Sequence, residues 1–247
     1  MKLENKVAII TGAASGIGKE TALEFIKEGA AVVVADLASS NGEEVIKEIE
    51  NKGGKGKFIT CDVSKWEDVK NLAEETYNEF GKIDILYNNA GLIGIDSINV
   101  EDVEEAYFEQ LISVNLKGGL LGTKAVVPYM KEQKSGVILY QGSTSAIRPR
   151  PNISVYVATK GGIAAFAKSV ALELAEYGIR VNTIHPAVTR TQLAGQKLID
   201  YYNKEKIIPI GRIAETSDIA RSAVFLSSDD AEMITGTDFR VDGGRCI

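Results

Sequence analysis

Cysteine and histidine are almost missing: Cys61, Cys246 and His185 are all that the 247 residues contain. Two distant thiols without metal-ligand spacing exclude a disulfide framework and a zinc site, so both are read as reduced and no metal is expected. Basic clusters are lacking too. No run of Lys and Arg is long enough to follow a phosphate backbone, and the formal charge is -6, so nucleic acid is not an expected partner. Long hydrophobic runs are also absent. None approaches the roughly 20 residues of a membrane span. The segment Met1-Lys2-Leu3-Glu4-Asn5-Lys6 enters an apolar strand without the hydrophobic stretch of a signal peptide, so a cytoplasmic protein with no membrane contact is expected.

What is present is an alternation. Short, β-branched apolar runs are separated by longer stretches of helical period, the pattern of repeated βαβ units on a parallel sheet. Seven strands are predicted: Val7 to Thr11, Ala31 to Asp36, Lys57 to Asp62, Ile83 to Asn88, Val137 to Ser143, Arg180 to His185 and Asp238 to Val241. Helices are predicted over Gly16 to Glu28, Gly42 to Asn51, Trp66 to Phe80, Val103 to Lys131, Val155 to Tyr177 and Thr216 to Leu226. With 45% hydrophobic residues this suits one α/β domain, a Rossmann-like doubly wound sheet over 1–247. A long irregular stretch, about 187–213, is read as a substrate lid, since such segments are usually functional.

Glycines mark the first strand-to-helix turn, in Thr11-Gly12-Ala13-Ala14-Ser15-Gly16-Ile17-Gly18. Backbone without side chains can approach a pyrophosphate there, and the helix N-terminus offers unpaired N-H groups and positive dipole potential. A tight βα connection would look similar, and the spacing is Gly-x-x-x-Gly-x-Gly. Asp36, followed by Leu37, adds the deciding feature. It ends the second strand, where its carboxylate can accept from ribose hydroxyls and repel a 2'-phosphate, and neither Ala14 nor Leu37 supplies a cation. NAD is therefore the expected cofactor. Asp62-Val63 and Asn88-Asn89-Ala90-Gly91 fall at the same carboxyl edge.

Tyr156 and Lys160 stand four residues apart on a predicted helix, so they share a face, with Ser143 thirteen residues upstream of Tyr156. An unperturbed tyrosine titrates near roughly 10, too high for proton exchange at neutral pH, and a neighbouring ammonium favours the phenolate. The set reads as a hydride-transfer site.

The glycine turn, Asn88-Asn89-Ala90-Gly91, Asn115, Ser143, and Tyr156 with Lys160, in this order and in register with the strands, resemble the short-chain dehydrogenase/reductase family along the whole chain. Val181-Asn182-Thr183-Ile184-His185-Pro186 and the stretch from Ile234-Thr235-Gly236 to Val241-Asp242-Gly243-Gly244 look like later strands of that family. The resemblance implies that Tyr156 is the general acid/base. Lys160 would hold the nicotinamide ribose and lower the Tyr156 pKa, Ser143 would orient the substrate oxygen, and Asn115 would anchor a water for proton relay. Thr191 is matched to a threonine that contacts the nicotinamide carboxamide, with Val188 and Thr189 nearby. Pro186-Ala187 departs from the family's Pro-Gly, through either an altered backbone or a turn with negative φ.

The resemblance further implies a secondary alcohol or ketone substrate and a homotetramer packed through the two long helices around Asn115 and Tyr156. Two rival readings are a 3-oxoacyl reductase of fatty-acid type and a non-catalytic NAD-binding sensor or scaffold. By the same resemblance, Gly91 to Ile95, Ala146 to Ile153 and Ala187 to Pro209 border the substrate pocket. Arg148 and Arg150 can be read as cations at the pocket mouth for a carboxylate or phosphate, or as a Pro-stiffened solvated loop or subunit contact. The second reading is preferred because nothing in the sequence fixes their direction. His185 is expected to be structural, the proton chemistry having its residues already. Trp66, Tyr77 and Phe80 are expected to be helix-packing residues.

Overall fold

The computed structural model describes residues 1–94 and 97–247, so Ile95, assigned above to the substrate border, lies outside the described residues. Seven parallel strands form one sheet: β1 (Val7–Thr11), β2 (Ala31–Asp36), β3 (Lys55–Thr60), β4 (Ile85–Asn88), β5 (Gly136–Gln141), β6 (Ile179–Pro186) and β7 (Asp238–Val241). The helices are α1 (Gly16–Lys27), α2 (Gly42–Asn51), α3 (Trp66–Phe80), α4 (Glu105–Ile112), α5 (Gly118–Gln133), α6 (Ser154–Leu174), α7 (Gln196–Lys204) and α8 (Thr216–Ser227).

The strands lie in the order β3-β2-β1-β4-β5-β6-β7. Ile9 of β1 pairs with Val33 of β2 on one side and Leu86 of β4 on the other, so the chain reverses its direction of winding between β1 and β4. A crevice opens at such a switch point, beyond the carboxyl ends of the strands.

Successive strand residues point to opposite faces, which sorts the core into two layers. Ile9, Val33, Leu86 and Ile138 pack with Leu72 of α3, Leu121 of α5 and Ile163 and Val170 of α6. Ala8, Ile10, Val32 and Val34 pack with Phe25 of α1, Ile49 of α2 and Ile219 of α8. Every residue of β1 is buried, as a central parallel strand covered on both faces requires. Trp66 and Phe80 pack against the first layer, and the Tyr77 ring stands 4.8 Å from that of Tyr129.

Several predicted elements shift by one to three residues at their ends, and three differences bear on the site. The third strand ends at Thr60, not Asp62, because the Asp62 carboxylate accepts from both the N-H and the hydroxyl of Ser64 and turns the chain. The predicted helix over Val103 to Lys131 is divided by a π turn, Ser113–Lys117, that carries Asn115 inward. The stretch 187–213 is not irregular throughout: it holds a 3-10 turn, Gln192–Ala194, and α7. Ile199 and Tyr202 of α7 form a small separate core with Ala187, Ile208 and Ile213. Among the described residues no helix is long and apolar enough to cross a membrane.

Candidate active site

The glycine turn is built around close backbone approach. A Cβ at Gly18 would collide with the Gly12 carbonyl oxygen and stand 2.6 Å from Asn89 Nδ2, and one at Gly12, whose φ is +65°, would stand 2.8 Å from Ala90 Cα. Asn89 Nδ2 donates to the carbonyls of Thr11 and Gly12 at 2.9 and 3.2 Å, and the Asn89 and Ala90 amides each donate to Thr11 Oγ1 at 3.1 Å. This stitches the end of β1 to the end of β4. Ser15 makes no side-chain cap, so the first amides of α1, including those of Gly16, Ile17 and Gly18, are left for an anion.

Asp36 faces the same turn. Its carboxylate accepts from the Ala14 amide at 2.9 Å through one oxygen and from the Leu37 amide at 2.8 Å through the other. Both the loop-stabilising reading and an open acceptor are thus satisfied, because a carboxylate oxygen offers more than one lone pair. The Asp62 carboxyl is held below its usual range chiefly by the Ser64 hydroxyl, while burial works in the opposite direction.

One cavity of about 640 Å³ runs along this edge and is bordered by Gly12, Asp36, Asp62 and Gly91 and by Ser143 and Tyr156. Leu37, Val63, Ala90 and Lys160 also border it, as do Pro186, Ala187, Val188, Thr189 and Thr191. Asp36 ends β2 and Gln141 ends β5, three strand spacings apart, or about 14 Å at the usual interval. An extended ligand can lie across that edge.

At the β5 end, Ser143 and the N-terminal turns of α6 meet. Ser143 Oγ accepts from the Ser145 amide at 3.1 Å, leaving its own O-H to donate elsewhere. Burial raises the Tyr156 phenol above its ordinary value, opposed by its hydrogen bond with Ser143 and by the charge of Arg150. Lys160, which the sequence reading credits with lowering the phenol, sits 5.8 Å from the Tyr156 ring centroid and donates to the Gln141 carbonyl at 2.7 Å. The phenol is raised because desolvation outweighs the Ser143 bond and the Arg150 charge, and Lys160 is not among the groups that lower it. Burial also pulls the Lys160 ammonium down to about 8.

Asn115 is buried, and its amide binds the backbone of Leu92 both ways, with Leu92 N to Oδ1 at 2.7 Å and Nδ2 to Leu92 O at 2.8 Å. A second Nδ2 bond reaches Thr159 Oγ1 at 3.2 Å. Oδ1 retains a lone pair.

Pro186-Ala187 adopts the second of the two arrangements open to it. Ala187 has no positive φ, and it is buried with its amide on the Val241 carbonyl. Thr191 comes back to the glycine turn, its methyl carbon 3.6 Å from where a Gly16 Cβ would lie. His185 lies behind the site, 1% exposed and not on the cavity wall.

Gln110 lies outside every segment expected to border the pocket yet lines the cavity, whereas Leu198 and Tyr202 fall within the expected stretch Ala187 to Pro209. Only the pairing of Leu198 and Ile199 with Tyr202 at helical spacing hinted at α7. The sequence alone favours a Pro-stiffened solvated loop or a subunit contact for both Arg148 and Arg150. The structure separates it from Arg148: Arg150 borders the cavity and is half-buried, whereas Arg148 is exposed and donates to the Arg245 carbonyl at 2.7 Å.

Known proteins resemble this chain along its length. A family model described as Enoyl-(Acyl carrier protein) reductase matches residues 12–245. Tropinone reductase-like 1 of Erythroxylum coca is 39% identical over 254 residues, covering 100% of this chain and 92% of that protein. The 3-oxoacyl-[acyl-carrier-protein] reductase FabG of Thermotoga maritima is 38% identical over 249 residues, covering 100% of each. A crystal structure of 3-ketoacyl-(acyl-carrier-protein) reductase from Brucella melitensis complexed with NADH superposes with a TM-score of 0.94 at 41% identity, covering 99% of this chain and 100% of that one. These relatives support a catalytic oxidoreductase and not the non-catalytic sensor. Matches of this extent and identity point one way, and the chain belongs to the short-chain dehydrogenase/reductase family.

Proposed function

We propose that the protein is an NAD-dependent oxidoreductase interconverting a secondary alcohol and a ketone, with Tyr156 as the proton-exchanging residue. The observation that carries this is the meeting of Ser143, Tyr156 and Lys160 on the same cavity wall that continues to Gly12 and Asp36.

The residues present fit a nicotinamide dinucleotide. A glycine turn that excludes Cβ atoms and the open amides of α1 suit the pyrophosphate, and the remaining lone pairs of Asp36 suit ribose hydroxyls. Lys160 and Arg150, both at or beyond the β5 end, are the basic residues among those described on the cavity wall, so nothing there would neutralise a 2'-phosphate beside Asp36. This favours NAD over NADP. Val63, Asp62 and Leu37 would border the adenosine half, and Pro186, Ala187, Val188, Thr189 and Thr191 the nicotinamide half.

The nicotinamide, when bound, supplies or accepts the hydride. The Ser143 O-H, hydrogen-bonded to the Tyr156 phenol before substrate enters, turns to the substrate oxygen and fixes it beside Tyr156. In reduction Tyr156 gives that oxygen its proton, and in oxidation it takes the proton back, the positive charge of Lys160 stabilising the phenolate. Lys160 also holds the ribose hydroxyls. A void of about 10 Å³ bordered by Asn115, Lys160 and Gln141 is close to the size of one water, which supports a proton relay through Asn115. The segment 187–213, with its own small core and with Leu198 and Tyr202 on the cavity wall, would act as the lid. A homotetramer packed through α5 and α6 is supported by Leu120 and Leu172, apolar side chains 44% and 83% exposed on those helices.

A second reading, reduction of a 3-oxoacyl group, is favoured by the Thermotoga and Brucella relatives. Asp36 does not speak against it, since the Brucella protein was crystallised with NADH. NADH formation with a panel of secondary alcohols, and NADH consumption with 3-oxoacyl thioesters, separate the two. Faster turnover of free alcohols supports the first reading, and turnover confined to thioesters supports the second.

A further inference from the structure

We propose that Arg150 is the carboxylate-binding residue of the substrate pocket, so that the alcohol or ketone turned over here carries an acid group. The inference rests on the alcohol and ketone reading of the same cavity.

Arg150 follows β5 by nine residues and precedes α6 by four, in the loop that leads from Ser143 to Tyr156. It is half-buried on the cavity wall and, among the described residues, makes no hydrogen bond or ion pair. Its neighbour Arg148 is different. That side chain is spent on the C-terminal tail, where Arg148 Nη1 donates to Arg245 O at 2.7 Å and the Arg148 carbonyl accepts from Arg245 Nη2 at 3.0 Å. The tail thus holds the loop in place and leaves one arginine over the pocket.

Among the described residues of the cavity wall, no carboxylate is available to that arginine. Asp36 and Asp62, the acidic residues on its wall, stand at the ends of β2 and β3, on the far side of β1 and β4, and each is engaged with local donors. Around the substrate side the wall is mainly apolar, with Leu92, Ile93, Ile153, Ala194 and Leu198. A guanidinium in such surroundings offers two parallel N-H groups matched to the two oxygens of a carboxylate, and reduced screening strengthens the pair. With no second free cation beside it among the described residues, one guanidinium suits a monoanion better than a phosphate dianion. Arg150 also acts on the phenol of Tyr156 through its charge, which places it within electrostatic reach of the reacting carbon.

The test compares pyruvate, acetoacetate and levulinate, each with its methyl ester, as substrates with NADH for the native protein, Arg150→Gln and Arg150→Lys. At least one acid is expected to exceed its ester in kcat/KM by about tenfold or more, the gain typical of a hydrogen bond to a charged group. The ratio should fall towards one in Arg150→Gln and recover in part in Arg150→Lys. An acid preference that survives intact in Arg150→Gln, or esters used as well as their acids throughout, would overturn the proposal. Quenching of NADH fluorescence by the same six compounds reads binding without turnover. If none reacts, Arg150-dependent binding of the acids still upholds the anion site, the alcohol and ketone reading being decided by the alcohol panel, and equal binding of acids and esters rejects the site.

Discussion

His185 Nδ1 lies 2.8 Å from the carbonyl oxygen of Ser143 and 3.2 Å from its amide nitrogen, while Nε2 stands 3.2 Å from Asp238 Oδ1. The chain's one histidine thus links the backbone of the proposed substrate-orienting serine to β7. Although burial pushes the Asp238 carboxyl up, its bonds to Lys168 and His185 hold it below the usual range. Replacing His185 with Ala leaves buried polar groups unpaired and a hole beside Gly142, for a stability loss of about 1 to 3 kcal/mol. Because Ser143 then loses its support, kcat is expected to fall about tenfold with little change in NADH affinity, as for a group acting mainly on the transition state. Thermal melts combined with steady-state kinetics check this. A lowered melting temperature with unchanged kcat would show that His185 does not position Ser143.

Lys160 makes a prediction of opposite sign for stability. Lys160 is 4% exposed, and burial pulls its ammonium down to about 8 from an ordinary 10.5. Below pH 8 both folded and unfolded states hold the proton, and the full cost of burying it is present. Between pH 8 and 10.5 the folded state releases the proton first, so this group's contribution to stability improves as pH rises. Lys160→Met is therefore expected to stabilise the cofactor-free protein at pH 7 by up to about 3 kcal/mol, less about 1 kcal/mol for the lost Gln141 bond. The advantage should shrink by pH 10, in urea denaturation of both proteins. A variant less stable at pH 7 would contradict the burial argument.

Gly18→Ala places a methyl group against the Gly12 carbonyl and 2.9 Å from Ala13 Cα, where no flexible side chain can give way. The turn must shift. Overpacking of this kind costs about 1 to 3 kcal/mol, and NADH affinity, read by fluorescence titration, is expected to fall more steeply than thermal stability. An alanine variant that binds NADH like the native protein would remove the glycine turn from the cofactor site.

Asp36→Ala removes the acceptor proposed for the ribose hydroxyls. The NAD preference, measured as the ratio of kcat/KM for NAD to that for NADP, is expected to drop about 10- to 100-fold. A native protein that already prefers NADP would contradict the role given to Asp36.

Much of this architecture is legible in the residues. Strands of Val, Ile and Ala buried on both faces advertise a parallel sheet, and Gly12, Asp36, Ser143 and Tyr156 gather at one edge because each follows or ends a strand, or starts a helix, there. Three features were not legible, for separate reasons. The π turn at Asn115 depends on hydrogen bonds to Leu92, twenty-three residues away, which no local period reveals. Helix α7 buries only Ile199 and Tyr202 and packs on residues from both flanks of its own loop, so its apolar stripe is clear but only two buried residues long. The difference between Arg150 on the cavity wall and Arg148 on the tail goes with a contact ninety-seven residues distant, between Arg148 and Arg245, which no local pattern reveals.

The most direct measurement of the central claim is turnover by Tyr156→Phe, which removes the phenolic oxygen and leaves the ring. With NAD and whichever secondary alcohol the native protein oxidises, kcat is expected to fall by at least about 100-fold, the usual contribution of general acid/base catalysis. NADH titration should show binding unchanged within about threefold, since no bond to the protein that shapes the glycine turn has been touched. Turnover by Tyr156→Phe at the native rate, with NADH bound, would contradict the assignment of the proton transfer to Tyr156.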